Sequence, residues 1–237
     1  MKTVLITGAA RRIGAFLASG LAEKGYDIVL HYGKSEGEAI KVAKQIQDYG
    51  QNCFLVQADL AEENAAEKIF SLLNEKKIKV DYVIHNASNF ESVDFSHTTP
   101  EQWQSAMQVN LSSPVLINQK FVKQLQNGPG KIIHLLDWRA LRPGVDHFPY
   151  TISKAALASV TKSLGRSLAP QIQVNGIAFG AILPPSDGGD TNDLLRSVPI
   201  KRWAELEEVL STVLFLLEGP DYITGEIIHL DGGRHLV

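Results

Sequence analysis

KTVLITGAARRIG, residues 2–14, decides how the rest of the chain is read. Residues 2–6 are a short apolar run suited to a buried strand. The run stops at Thr7-Gly8, and IGAFLASGLAEKG (13–25) then sets apolar residues at helical spacing and closes on a glycine. TGAARRIG (7–14) is thus a strand-to-helix junction. Glycines at 8 and 14 let the backbone approach a pyrophosphate, and amides at the helix start point toward its charge. The common spacing for such a loop is Gly-x-x-x-Gly-x-Gly, and here Arg12 fills the middle place. Arg12 can add charge-assisted hydrogen bonds to phosphate or project toward a substrate. The plainer alternative is a tight turn carrying an exposed basic pair, Arg11-Arg12.

Outward from this junction, strand and helix patterns alternate. YDIVLHY (26–32), NCFLVQA (52–58), VDYVIH (80–85), GKIIHLL (130–136), IQVNGIA (172–178) and EIIHL (226–230) complete a set of seven strands. Helical patterns fall near 13–25, 35–49, 62–76, 100–126, 150–169 and 205–217. Apolar strands separated by amphipathic helices describe an α/β chain with a parallel sheet covered on both faces. No linker, repeat or low-complexity tract divides residues 1–237, so one domain is expected. ILPPSDGGDTNDLLRSVPIKRW (182–203) is too polar for core and too long for a simple connection, and it reads as a flap over a site.

Composition narrows the function classes. The 237 residues are 44% hydrophobic and 21% charged with a net charge of −3, which leaves no electrostatic footprint for nucleic acid or an anionic membrane. One cysteine, Cys53, rules out an internal disulfide framework and fits a reducing compartment. No basic leader with an apolar core opens the chain, and no apolar stretch approaches the roughly 20 residues of a membrane span. A cytoplasmic protein is expected. The seven histidines show no metal-ligand spacing, and His85 and His134, at strand ends, read as structural.

Cofactor choice is decided after the second strand. An acid about 20 residues beyond the glycines would bind a ribose 2′-hydroxyl. HYGKSEGE (31–38) instead offers Lys34 and Ser35, a cation and a hydroxyl suited to the 2′-phosphate of NADPH. Ser35 and Glu38 also spell a helix capping box, and Glu36 is a nearby carboxylate that must point away from any phosphate.

The chemistry concentrates in LLDWRALRPGVDHFPYTISK (135–154). Tyr150 and Lys154 share one helix face about 6 Å apart along the axis. An ammonium there is expected to lower the phenol's pKa toward neutrality, tuning Tyr150 to hand a proton to an atom receiving a hydride. Asp137 stands where its carboxyl can join the same site. Alternatively, Asp137 caps a turn, Phe90 packs a loop, and Ser88 is a turn residue. Trp138 lines the pocket or covers the core.

TGAARRIG, the NAS at 86–88, Asn110, YTISKAAL (150–157) and DGG (231–233) resemble the short-chain dehydrogenase/reductase family over the whole chain. The resemblance implies a doubly wound, Rossmann-like sheet, a bound nicotinamide cofactor, and catalytic Tyr150 and Lys154. Lys154 would also hold the nicotinamide ribose, and Asn110 a proton-relay water. On the cofactor side it implies Gly8, Arg11, Arg12, Ile13 and Gly14, then His31, Tyr32, Lys34 and Ser35. Asp59, Leu60, Asn86, Ala87, Ser88, Gly180 and Ile182 complete that set.

Most members of that family carry serine where this chain has Asp137. That change, Arg12 in the loop, LHYGKS after strand two and HNASNF (85–90) together resemble the pteridine reductase subgroup, and LDGGRHL (230–236) is similar to its bacterial dihydromonapterin reductase branch. The subgroup implies a pterin stacked between Phe90 and the nicotinamide, with Arg12, Ser88, Asp137, Trp138 and Tyr150 at its edge. Phe179-Gly180 departs from the Pro-Gly usual after strand six. The expected reaction is NADPH-dependent reduction of a dihydropterin or dihydrofolate. The alternatives are a carbonyl reductase for acyl or sugar ketones and a catalytically silent NADPH sensor. A homotetramer is implied as well, with the tail 234–237 reaching a neighbouring subunit's pocket.

Overall fold

In the computed structural model, which describes residues 1–184 and 195–237, β1 (Thr3–Ile6) lies inside a seven-stranded sheet. β2 (Asp27–Tyr32) and β3 (Cys53–Gln57) extend it one way. β4 (Tyr82–His85), β5 (Gly130–Asp137), β6 (Ile172–Phe179) and β7 (Ile227–Leu230) extend it the other. The order β3-β2-β1-β4-β5-β6-β7 is parallel throughout, with Val4 opposite both Ile28 and Tyr82. This is the doubly wound sheet expected. Its strand order reverses between β1 and β4, and ligands of such sheets bind at the carboxyl ends of the strands beside that reversal.

Alternation along the strands sorts side chains between two cores. Val4 and Ile6 pack with α1 (Arg12–Glu23), α2 (Glu36–Asp48) and α7 (Leu206–Glu218) through Leu17, Leu21, Ile46 and Val213. Leu5, Val29 and Val83 face the other way, onto Ile69 and Leu73 of α3 (Ala65–Glu75) and Ile117 and Phe121 of α5 (Ser113–Leu125). Leu157 and Ala158 of α6 (Phe148–Ser167) cover Leu136 and Ala178.

Two local expectations change. The helix expected over 100–126 is α4 (Pro100–Met107), a π turn (Gln108–Ser112) and then α5. The wide turn holds Asn110, and such insertions often mark functional sites. Ser35 precedes α2 but makes no capping bond, so the expected box does not form. Boxes do form at α4, pairing Thr99 with Gln102, and at α7, pairing Glu205 with Glu208. Residues 185–194, the middle of the expected flap, lie outside the described residues.

Between sheet and helices runs a buried polar chain. Thr161 Oγ1 donates to the Leu157 carbonyl, so His134 Nδ1–H donates to Thr161 (2.8 Å). His134 Nε2 then accepts from Asn118 Nδ2 (3.1 Å), and Asn118 Oδ1 accepts from His85 Nε2 (2.7 Å). Both histidines are structural, as expected. Burial lowers His85 and His31 to about 4 and holds His134 well below the usual histidine value. A histidine neutral in the fold and charged when unfolded takes up a proton on unfolding. Stability is therefore complete above the ordinary value of 6.5 and is lost as pH falls toward 4. The expected slope is about 1.4 kcal/mol per pH unit for each histidine. Urea midpoints measured from pH 7 to 5 should fall steeply; a flat profile contradicts this description.

Candidate active site

The carboxyl ends of β1, β2 and β4 build a cradle from the backbone up. Gly8 has φ +63°, and a Cβ there would come within 2.9 Å of Ala87 Cα. A Cβ on Gly14 would collide with the Gly8 carbonyl and lie 2.5 Å from Asn86 Nδ2. Thr7 Oγ1 accepts the amides of Asn86 (3.0 Å) and Ala87 (3.1 Å), and Asn86 Nδ2 donates to the Thr7 and Gly8 carbonyls, both at 2.9 Å. From beneath, His31 Nδ1 accepts the Gly8 amide (3.1 Å) while Nε2–H donates to the Ala58 carbonyl (3.0 Å). His31 is 2% exposed, so it is a buried prop of the loop rather than the cofactor contact expected. Asn86 and Ala87 likewise act first on the loop.

The cradle fits a dinucleotide pyrophosphate. Arg11 at the start of α1 makes no side-chain cap, and the first turn carries no acid, unlike those of α2, α3, α4 and α7. Its amides are left for an anion. Ile13 is half-buried behind them. Arg12, at φ +53°, donates from Nη2 to the Pro184 carbonyl (3.0 Å), so it ties the loop to the segment after β6 instead of turning to a phosphate.

Beyond β2, Lys34 is exposed and Ser35 half-buried with its hydroxyl uncommitted to the helix. Burial first, and then the nearby Glu36 carboxylate, raise the pKa of the Tyr32 phenol. Tyr32 itself is buried. Asp59 closes its own turn on the Ala61 amide (3.0 Å). Leu60 is buried in the core, its carbonyl accepting from Ser113. Gly180 sits so close to Asp231 that a Cβ would fall 2.6 Å from its Cα, and Ile182 is buried beside it. Phe179, in place of the usual proline, ends β6 inside the core.

At the end of β5 the chemical groups meet. Tyr150 donates its hydroxyl to Asp137 Oδ2 at 3.1 Å. Asp137 Oδ1 accepts the Arg139 amide (2.9 Å) and lies 3.7 Å from Arg139 Nη1. The carboxylate thus both caps the turn 138–140 and holds the phenol, the two alternatives at once. Burial first, and then the Asp137 charge, raise the Tyr150 pKa well above its ordinary value. This reverses the lowering expected from Lys154. The Lys154 ammonium is aimed at the Leu135 carbonyl (2.7 Å) and lies 5.8 Å from the phenol ring centroid. Burial drops Lys154 to about 8, against a smaller upward pull from Asp137.

Asn110 is fully buried and saturated. Its Oδ1 accepts the Asn89 amide (2.7 Å) and the Ser88 hydroxyl (3.2 Å), and its Nδ2 donates to the Asn89 carbonyl (2.9 Å) and Ser153 Oγ (3.0 Å). The side chain clamps segment 88–89, with each of its polar atoms already bonded. Phe90 is 53% exposed, 4.6 Å edge-on from Tyr150, with one face stacked on His147 at 4.0 Å. Only its other face is left to a flat ligand. Trp138 lies beside Asp137 under two guanidinium groups, Arg139 at 5.1 Å and Arg234 at 4.3 Å. The tail therefore packs on its own chain through Arg234.

Sequence reading passed over Thr7, Arg139, Asp146 and His147. Arg139 pairs with Asp146 (2.9 Å), and His147 opens α6 at φ +50°, its ring held by the Glu91 carbonyl (2.9 Å). The signal for Arg139, Asp146 and His147 was position within the 135–154 stretch, and that for Thr7 its place at the first strand-to-helix junction. His229, Asp231 and His235 also come together, with ligand atoms within 4.8 Å of one another, which their sequence spacing did not announce. Asp231 accepts the amides of Gly233 and His235 and the His235 ring, closing the turn that carries Arg234.

Thr7→Val leaves two amides without an acceptor, at about 1–3 kcal/mol each. Weaker NADPH binding is expected in a fluorescence titration, together with a lowered Tm; unchanged affinity contradicts the assigned role of Thr7.

The chain matches the family described as enoyl-(acyl carrier protein) reductase over residues 8–235. It is 30% identical to the 3-oxoacyl-[acyl-carrier-protein] reductase FabG of Staphylococcus epidermidis, covering 99% of each chain. Among solved structures it is similar to FolM alternative dihydrofolate reductase 1 from Brucella canis complexed with NADP, at TM-score 0.89 and 33% identity, covering 100% of this chain and 95% of that one. The Brucella suis protein of the same description, also with NADP, gives TM-score 0.89 and 32% identity, covering 100% and 96%. With the doubly wound sheet, the glycine cradle and the Tyr150–Lys154 pair, these likenesses show that the chain belongs to the short-chain dehydrogenase/reductase family of oxidoreductases.

Proposed function

We propose that the protein is an NADPH-dependent pteridine reductase, converting a dihydropterin such as dihydromonapterin, dihydrobiopterin or dihydrofolate to its tetrahydro form. The observation that carries this reading is the Tyr150 hydroxyl bonded to Asp137 Oδ2 at 3.1 Å, with the half-exposed Phe90 ring 4.6 Å away. A ketone reductase has use for a hydroxyl at position 137. A carboxylate there, beside an aromatic face, suits a flat nitrogen heterocycle. The likeness to the Brucella FolM proteins supports the same choice.

NADPH supplies the hydride; Lys34 and Ser35 would meet its 2′-phosphate, and the cradle around Gly8 and Gly14 its pyrophosphate. Tyr150 is kept protonated by burial and by Asp137, so it stands ready to give its proton to the ring nitrogen next to the carbon that is reduced. Asp137 accepts in each of its contacts, which makes it the holder of the phenol rather than a second donor. Lys154 and Arg139 offset the phenolate charge until solvent restores the proton; Arg139 already pulls the phenol's pKa down. The homotetramer belongs to the same proposal.

A second reading, reduction of 3-oxoacyl thioesters, is favoured by the Staphylococcus relative. With NADPH, kcat/KM for dihydromonapterin or dihydrobiopterin should exceed that for an acetoacetyl thioester by at least roughly tenfold, about 1.4 kcal/mol in the barrier. The opposite preference selects the thioester reading. Tyr150→Phe should lower kcat by about 10²–10⁴ with NADPH binding retained; full turnover would exclude Tyr150 as the proton donor. In Asp137→Asn, Lys154 loses the charge that raises its pKa, so the alkaline fall of residual kcat/KM should move below about 8. A limb that stays or rises contradicts the coupling.

A further inference from the structure

Away from the reacting groups, the end of β7 gathers three metal-ligating side chains from one short stretch, HLDGGRH (229–235). From their geometry we infer a binding site for a zinc-class divalent ion, held by His229, Asp231 and His235.

The chain's own turn builds the cluster. His229 and Asp231 stand two apart at the end of an extended strand, which turns both side chains to one face. Gly232 (φ +63°) and Gly233 (φ +83°) then take two successive left-handed steps, and the short turn Arg234–Leu236 carries His235 back toward the strand. Its ring stacks on that of His229, with centroids 3.9 Å and planes 24° apart. His235 Nδ1 lies 2.8 Å from Asp231 Oδ2, and His229 Nδ1 lies 3.9 Å from the same oxygen. One ligand atom from each residue falls within 4.8 Å of the other two.

These separations suit a small ion. A tetrahedral ion about 2.0–2.2 Å from each ligand keeps its ligands roughly 3.3–3.6 Å apart. The two distances to Asp231 bracket that value, so loss of the His235 Nδ1 proton and a small splay of the rings complete the site. The carboxylate is aimed in advance: its side chain is 1% exposed, Oδ1 accepts the Gly233 amide (3.0 Å) and Oδ2 the His235 amide (2.8 Å). The imidazoles are 29% and 30% exposed, which leaves an entry path and room for a water as fourth ligand. Hydrogen bonding to Asp231 explains His235 without an ion. It does not explain His229, whose Nδ1 faces the same oxygen from beyond hydrogen-bond reach. Two imidazoles with one carboxylate select Zn²⁺, Co²⁺ or Ni²⁺ over Mg²⁺ and Ca²⁺, which take oxygen shells. An ion here joins β7 to the turn that seats Arg234 over Trp138 at 4.3 Å, and so pins the C-terminal turn to the sheet.

The test uses the full chain without an affinity tag, stripped by a chelator and titrated with ZnCl₂ by calorimetry and with CoCl₂ by visible absorption. Wild-type protein should take up about one equivalent per chain, show ligand-field bands with Co²⁺, and gain Tm with Zn²⁺ but not with Mg²⁺. His229→Ala and His235→Ala should each weaken Zn²⁺ binding at least about tenfold and abolish the bands and the Tm gain. His229→Ala leaves the bonds that close the turn in place, and the metal-free Tm of each variant reports its folding. His97→Ala, which removes an exposed histidine paired with Asp94, should bind as wild type does. Absence of Zn²⁺ binding, binding retained in His229→Ala, binding lost in His97→Ala, or an equal response to Mg²⁺ would each overturn the site. None of these results bears on the pteridine reductase reading, which is decided by substrate turnover.

Discussion

A single hydrogen bond organises the chemistry of this protein: the Tyr150 hydroxyl on Asp137 Oδ2, in a setting where Tyr150 is only 7% exposed. Burial alone disfavours a phenolate, and a carboxylate at the hydroxyl disfavours it further. The phenol must stay protonated until a substrate offers a better acceptor. The residues around the pair follow from that demand. Arg139 holds Asp137 in place from its own backbone and draws Asp146 toward the same corner. Lys154 reaches under the phenol ring while fixed to a strand carbonyl. A site arranged in this way is biased toward reduction, where protons are given.

The cofactor side obeys a different constraint, that of bringing backbone close to backbone. Gly8 has no room for a side chain against Ala87, and Gly14 has none against Gly8 and Asn86. Thr7, His31 and Asn86 convert that closeness into a fixed loop by accepting the Gly8, Asn86 and Ala87 amides and donating to the Thr7 and Gly8 carbonyls. The π turn around Asn110 does the same for segment 88–89. Both loops end against one cleft, so positions of the reacting groups depend on bonds made by residues that touch no substrate.

Much of this was legible in the chain. The seven strands could be read because buried strands are mostly apolar and the junctions carry glycine. Tyr150 and Lys154 could be paired because a helix fixes which residues share a face. What escaped was whatever depends on contacts across the fold. Spacing placed an ammonium near a phenol and so implied a lowered pKa. The packed chain aims Lys154 at Leu135 instead and brings Asp137 to the hydroxyl, which reverses the sign. A Ser-x-x-Glu pattern at 35–38 promised a cap that does not form. His31 was placed beside the cofactor, although its ring is buried beneath the loop. The seating of Arg234 on Trp138 joins distant parts of the chain, and no local pattern announces it.

Because the account turns on the protonation state of one phenol, ultraviolet difference titration of the wild-type protein against Tyr150→Phe is its most direct test. The difference spectrum should show no phenolate at pH 7 to 9, with ionisation of Tyr150 beginning only above the ordinary tyrosine value of 10.0. A phenolate band that appears near neutral pH and vanishes in the variant would mean that Lys154, not Asp137, governs the tyrosine, and the account would be wrong.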